Sequence, residues 1–384
     1  MSNVEWPIVV YSHLRWNFVY QRPQHVLSRL ACRRRVLFVE EPIPSAAAPR
    51  VEVSFPAPNV LRCVPTGRFT TATFDEEQHQ TIAPLVARIL STNGYDRHVA
   101  WLYTPMAVGL ARALEPAVVV YDCMDELSAF AGAPRGLSAR EDALFALADL
   151  VFTGGPSLYR VKRERHPHVH CFPSSVDVAH FATALARSER LGPRLGFYGV
   201  LDERLDRELV AAVATARPEW QIDLVGPVVK IDPASLPRAS NLHYPGARDY
   251  KDLPREITNW DVCLMPFAIN EATRFISPTK VLEYMAAERP IVSTPITDVA
   301  EPYGDVVRIA ATPDEFVAAC DAALAESAAA RERRTRRMRE IVASTSWHNT
   351  VAGMAALIDD ATHRKGEAGW RDTTRSSSAL AQPA

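Results

Sequence analysis

Lysine is scarce in this chain: five stand in 384 residues, against 43 lysines and arginines together. The net charge of −2 supplies no global field toward nucleic acid. Six cysteines lie far apart with no C-x-x-C pair, which argues against a zinc ribbon and against a disulfide framework. They read as buried thiols in a reducing compartment. Long apolar runs are also lacking. The longest apolar stretch free of charge, Val99 to Ala111, is too short to cross a bilayer. Residues Met1 to Pro7 show no basic segment followed by an apolar one, so no leader peptide is expected. No repeat of solenoid period is present. The expectation is a cytoplasmic chain without resident metal or cofactor, for which peripheral contact with an anionic membrane stays open.

What is there is ordinary globular composition, 47% hydrophobic and 23% charged. The length is more than one core usually serves, so two domains are expected. Short β-branched runs alternate with helical patterns. Strands are expected at 7–11, 35–40, 51–55, 60–64, 98–103, 117–121, 150–153 and 169–172, then at 194–198, 221–225, 241–244, 261–265, 290–293 and 306–309. Helices are expected near 22–33, 75–92, 105–114, 138–148 and 156–165, then 204–216, 250–258, 278–287 and 312–343. Continuous apolar strands alternating with helices mean parallel sheets covered on both faces. The fold class is therefore α/β, two doubly wound Rossmann-like domains. The polar stretch 183–193, ending in Gly192 and Pro193, divides them. This gives domains at 1–185 and 186–345, a further helix at 346–362 and a disordered tail at 363–384.

The segment Ser277–Pro295 carries the sharpest signal. Ser277 suits an N-cap and Pro278 the first helical position. Lys280 then stands in the first turn, where the helix dipole favours an acid. A cation there is unfavourable unless an anion shares the site. Glu283 follows one turn on, on the same face. A cation for phosphate and a carboxylate for a ribose diol would suit a nucleoside diphosphate. A surface Lys280–Glu283 ion pair fits the spacing equally well. Ligands of doubly wound sheets bind beyond the carboxyl ends of strands. Candidate donor contacts are thus Ser277, Thr279 and Arg274 beside this helix, Gly199 after the strand at 194–198, and Arg204 opening the next helix. Gly226 holds the corresponding place after 221–225.

In the first half, Ser12–His25 follows the first strand. His13, Arg15, Trp16, Gln21, Arg22 and His25 crowd the position where an α/β domain keeps its site; His13 is a catalytic candidate, and the other five are candidate acceptor contacts. Asp122 and Asp125 follow the strand at 117–121. Three apart, they can share one face, and either carboxylate can serve as general base. Asp122 as a simple helix N-cap is the alternative. Two arginine-rich stretches, 33–35 and 331–339, read as helix ends and solvated faces, or as patches for anionic lipid.

These pieces together resemble the GT-B glycosyltransferases, in particular the large retaining group with bacterial cell-surface polysaccharide enzymes. Lys280–Val292 looks like that group's nucleotide-sugar segment, and Val169–Phe181 its approach to the interdomain linker. Ser12–His25 with Tyr121–Leu127 is similar to a narrower branch that includes teichuronic-acid-type transferases. The resemblance covers about residues 1–360. It implies two domains facing across a cleft, with the last helix returning to the first domain. It also implies a UDP- or GDP-linked sugar donor on the second domain and a glycan or lipid-linked acceptor on the first. By the same analogy Glu283 holds the ribose, and Lys280 with Arg204 the diphosphate. The chain departs from the group at Phe275, where a second Glu is usual, at Ser174–Ser175 and at Glu288–Arg289. The missing Glu leaves room for an inverting reaction with Asp125 or Asp122 as base. A sugar-nucleotide epimerase and a catalytically silent assembly partner share the same fold.

Overall fold

The structure, a computed structural model, describes residues 5–95, 97–185 and 192–379. The first sheet contains β1 (Ile8–Ser12), β2 (Val36–Glu40), β3 (Ile43–Pro44), β4 (Arg50–Ala57), β5 (Val60–Gly67), β6 (Val99–Leu102), β7 (Val118–Cys123), β8 (Leu150–Thr153) and β9 (Val169–Cys171). Their order is β3-β5-β2-β1-β6-β7-β8-β9, all parallel, with β4 added antiparallel to β5. β1, β2, β6, β7 and β8 are buried along their whole length, which is why they read as unbroken apolar runs. α1 (Arg22–Leu30) covers one face. α2 (Glu76–Asn93), α3 (Val108–Ala113), α4 (Leu137–Leu147) and α5 (Pro156–Lys162) cover the other.

The second domain opens with α6 (Val178–Ala182), then alternates β10 (Arg194–Tyr198), α7 (Arg207–Ala216), β11 (Gln221–Val225), β12 (Leu242–Gly246), α8 (Leu253–Thr258), β13 (Val262–Met265), α9 (Lys280–Ala286), β14 (Ile291–Ser293), α10 (Thr297–Tyr303) and β15 (Val307–Ile309). The all-parallel order is β12-β11-β10-β13-β14-β15. α11 (Pro313–Leu324) and α12 (Ala328–Ala343) complete it. In each sheet the chain reverses its direction of winding beside a central strand, β1 in the first and β10 in the second. Those reversals open the crevices where such sheets bind ligands.

Four expectations are corrected. The chain changes domain before 183–193: Val176, Phe181 and Ala184 already lie in the second core. Residues 186–191 of the expected junction lie outside the described residues. The single helix expected over 312–343 is two, because Ser327 accepts a hydrogen bond from Ala330 N at 3.3 Å and caps a new helix. α10 was not expected; prolines at 295 and 302 disguise it. Finally α13 (Trp347–Ala379) continues through most of the expected tail, and 380–384 lie outside the described residues. Once its first turns are docked, each added residue extends an existing nucleus, which needs no apolar stripe.

α13 returns to the first domain, where Trp347, Val351, Met354 and Ile358 pack with Val26, Leu27 and Leu30 of α1. Other contacts tie the domains directly. Asp298 of α10 accepts a hydrogen bond from Ser157 N at 2.9 Å, capping α5 across the boundary, and Arg160 pairs with Glu301 at 3.0 Å. Gly155 allows this approach: a Cβ there would lie 2.6 Å from that of Ser277. Truncating the buried Trp347 to Ala should cost about 3–5 kcal/mol. Thermal denaturation would read this as a lower midpoint, with α13 the first segment to lose amide protection; an unchanged midpoint would show that α13 does not hold the first domain.

Candidate functional site

The loops after β1, β7, β10 and β13 converge on one interdomain cavity of about 140 Å³. Its lining includes Gln21, Arg22, Asp125, Arg204, Ser277, Thr279 and Lys280. On the second domain, Gly199 ends β10 with φ +148°, a conformation that favours glycine. A Cβ there would meet Lys280 Cε at 3.3 Å and Nζ at 3.5 Å, so the missing side chain leaves the lane in which Lys280 lies. Lys280 Nζ sits 5.4 Å from the Phe197 ring centroid and 5.1 Å from that of Phe267. The surface ion pair does not form. Glu283 is buried and accepts a hydrogen bond from the Tyr198 hydroxyl, while Tyr198 N donates to the Tyr284 hydroxyl at 3.2 Å. Burial, then Arg204, pushes Lys280 down to about 8 against the pull of Glu283, Asp202 and Asp125. Burial raises Glu283 to about 7, opposed by Tyr198 and Lys280.

The local start of α9 differs from the capping expectation. The helix begins at Lys280, Thr279 occupies the preceding position, and Ser277 makes no cap. Arg204 does not open a helix either: α7 starts at Arg207, capped by Asp206, which accepts from Leu209 N at 2.8 Å. Arg204 lies in the preceding turn, its Nε 3.0 and 3.1 Å from the two Asp202 carboxylate oxygens and its Nη2 2.7 Å from Oδ2. It still faces the cavity. Arg274 does not. It is exposed, 3.5 Å from Glu271, and lines a separate groove with Ile269 and Thr297. Phe275, where the resembled group has an acid, packs against the apolar core of the first domain.

On the first domain, Asp122 and Asp125 have unlike fates. β7 runs through Cys123, so the two share no helical face. Asp122 is fully buried and holds Arg22, with Nη2 to Oδ1 at 3.0 Å, while Arg22 Nη1 donates to Phe172 O at 2.6 Å. A carboxylate so engaged and so buried is neither a base nor a helix cap; it is a fastening. Asp125 lies in the cavity wall, and no described residue donates a hydrogen bond to its carboxylate. Burial raises its pKa, against the downward pull of Arg204, Arg22 and Lys280 and with a further upward push from Asp202.

Of the residues proposed for the acceptor, Gln21 and Arg22 reach the cavity. Arg15 is spent on Glu40 at 3.2 Å and on the carbonyl of Glu41. Trp16 is buried edge-on against Phe38 at 5.1 Å. His25 stacks on Trp347 at 4.6 Å and meets Tyr250 at 5.2 Å, in the aromatic seam between the domains. His13, at the end of β1, has a buried Nδ1 without a hydrogen-bond partner. The arginines at 33–35 are no free lipid patch: Arg33 pairs with Glu5 at 2.5 Å, Arg34 with Asp359, and Arg35 lies over Tyr95.

Sequence reasoning missed Tyr198, Asp202, Phe130 and Lys230. Only Lys230 carried a signal, as one of five lysines. It also missed the support under Asp125. Lys162 is buried, with Nζ 2.8 Å from both Glu126 Oε2 and Glu141 Oε1, and Tyr121 donates to Glu141 at 2.8 Å. Glu126 adjoins Asp125, so this network fixes the loop that carries it. Lys162→Met would leave Glu126 without its cation, Glu141 keeping Arg165 at 2.5 Å, and cost about 3–5 kcal/mol. Hydrogen exchange should show amides 124–130 losing protection; unaltered protection there would assign the anchoring elsewhere.

Residues 192–326 match the family described as Glycosyl transferases group 1. The matched segment is the second domain of a two-domain GT-B fold and is similar to group 1 glycosyltransferase domains. The chain is 24% identical over 315 residues to TuaH of Bacillus subtilis strain 168, a protein assigned by its name to teichuronic acid biosynthesis as a glycosyltransferase. The match covers 74% of this chain and 77% of that one. Among solved structures, sucrose-phosphate synthase of Thermosynechococcus elongatus aligns with TM-score 0.72 at 16% identity, over 94% of this chain and all of the other. A trehalose-6-phosphate structure from E. coli, bound with UDP-2-fluoro glucose, aligns with 0.67 at 13%, over 92% and 99%. Anabaena HepE, in complex with UDP and glucose, gives 0.65 at 14%, over 92% and 99%. At these identities the structural likeness establishes the fold.

Proposed function

We propose that this chain transfers a hexosyl group from a UDP- or GDP-linked donor to a hydroxyl of a glycan or lipid-linked acceptor in cell-surface polysaccharide synthesis. The observation that carries the reading is Lys280, lying along side-chain-free Gly199 in the interdomain cavity, free of any ion pair within 4 Å among the described residues. A half-buried cation without a paired anion is costly, and a diphosphate would supply the anion. Arg204 stands beside it, and Glu283 lies one turn behind to receive a ribose hydroxyl. The group 1 domain and the likeness to TuaH support the substrate class.

In the reaction the bond from the sugar's anomeric carbon to the diphosphate oxygen breaks, and its electron pair leaves with the diphosphate. The acceptor oxygen bonds to that carbon and loses its proton. Lys280 and Arg204 stabilise the charge that develops on the leaving group, a role that needs no metal where fixed cations are in place. Asp125 takes the proton, since its raised pKa brings it closer to the range a general base uses. No described helix is long and apolar enough to cross a membrane, so contact with a lipid-linked acceptor would be peripheral, at the cytoplasmic face.

Two outcomes test this. Isothermal titration with UDP and GDP should show metal-free binding of one of them, lost in Lys280→Ala. A diphosphate raises the pKa of a depressed lysine, so binding near pH 8 should take up protons, visible as a dependence of the heat on buffer. Binding by neither nucleotide, or an unaffected variant, would remove the donor assignment. Asp125→Asn should keep nucleotide affinity and lose about 10²–10⁴-fold in transfer rate. The wild-type rate should fall on acidification through a pKa above that of an ordinary aspartate, because the base form exists only above it.

A further inference from the structure

The arginine-rich stretch 331–339 takes no part in the cleft. It lies in α12, where helical spacing sorts its charges onto different faces. Glu332, Arg336 and Glu340, all exposed, follow one another at steps of four. That face mixes signs and is no patch for anionic lipid. A second face is different. Ala330, Arg333, Arg334 and Arg337, also three or four apart, line a groove of about 800 Å³ whose far wall is Asp305 and the strand β15. Its volume is that of a small-molecule site.

Four arginines and two acids line this groove. Arg334 is largely buried and already engaged, 2.8 Å from Glu326 and donating to the Glu288 carbonyl at 3.1 Å. Arg337 Nε lies 2.7 Å from Asp305 Oδ2. Both acids are thereby matched. Arg308, on β15, and Arg333 have no carboxylate within 4 Å among the described residues. Four cations against two acids leave an excess of two positive charges. Arg308 is half-buried, and a guanidinium so placed among like charges is unfavourable until an anion joins it. The backbone adds donors. β15 is the last strand on its side of the sheet. Ala310 N donates to Ser293 O at 2.9 Å, so its even-numbered residues pair with β14. The N–H groups of Val307 and Ile309 therefore point along the free edge, and both residues line the groove. Sheet edges that present amides in a concavity take anions.

We propose that the groove between β15 and α12 binds a small soluble anion of the phosphate-ester or diphosphate class. The excess of two positive charges matches a dianion. Arg308 and Arg333 carry the recognition, because planar guanidinium groups take phosphate oxygens in pairs. Arg334 and Arg337, held by Glu326 and Asp305, fix the wall from which Arg333 projects. The site is separate from the cleft and does not rest on the glycosyl-transfer reading. It also borders Gly304 at the end of α10, the helix whose Asp298 caps α5 across the domain boundary.

Pyrophosphate is the probe. The cleft has its own cations, so the full chain is titrated calorimetrically as Lys280→Ala, and one saturable binding event is expected. Adding Arg308→Gln or Arg333→Gln should weaken it about tenfold, as loss of a charged hydrogen bond does. Either substitution in the otherwise wild-type chain should remove the same heat, which guards against a misfolded Lys280→Ala. Arg333 is exposed and unpaired, so its variant should keep the wild-type thermal midpoint. Absence of binding in a folded Lys280→Ala chain, or affinity unchanged by both arginine substitutions, would overturn the proposal. Sedimentation with phosphatidylglycerol vesicles, against phosphatidylcholine, tests the lipid source, and no retention through Arg333 is expected. Retention that Arg333→Gln abolishes, without pyrophosphate binding, would assign the groove to a membrane surface and sink the soluble ligand. Failure of UDP and GDP to bind would refute the donor site alone, because neither enters these titrations.

Discussion

The buried pair of Arg22 and Asp122 is the fastening on which the rest of the cleft depends. It joins the first turn of α1 to the end of β7, and through the Phe172 carbonyl it also holds the strand exit that leads to the second domain. Three segments that would otherwise be independent loops are thus set by one guanidinium. Such a pair contributes little net stability over an apolar substitute, but loss of one partner leaves an uncompensated charge. Its value here is positional. Gln21 and Asp125 flank it, and with Arg22 they line the first-domain wall of the cavity.

Around that fastening the charges divide by function. Those already satisfied fix loops: Lys162 under Asp125, Asp202 under Arg204, Asp206 at the start of α7. Those left without an ion pair among the described residues face the cavity: the carboxylate of Asp125 and the ammonium group of Lys280. Dry walls strengthen every charge interaction in such a place. The aromatic rings beside Lys280, Phe197 and Phe267, supply those walls without supplying counterions.

The architecture was legible because parallel strands buried on both faces write themselves as apolar runs. The helix starts were less so. Lys280 was recognised as anomalous, yet the helix begins two residues later than Pro278 suggested, and the reason for the anomaly, a glycine three strands away in sequence, has no local trace. Arg15, Trp16 and His25 show the converse. Residues clustered after a strand look like a site, but long-range partners decide which of them face solvent. Glu40 and Trp347 claimed these three from 24 or more positions away. Phe275 was read as a missing acid; packing against the first domain's core gives it a role of its own.

That contact, with the capping of α5 by Asp298, fixes the two domains against each other. On one flank an aspartate ends a helix of the opposite domain, and a glycine admits a serine at near-backbone distance. Beside Phe130 the same device recurs, with Ala131 N donating to Glu203 Oε1 at 3.0 Å. Each margin is latched by a second-domain carboxylate on a first-domain amide, so parting the domains at either margin strips an amide of its partner.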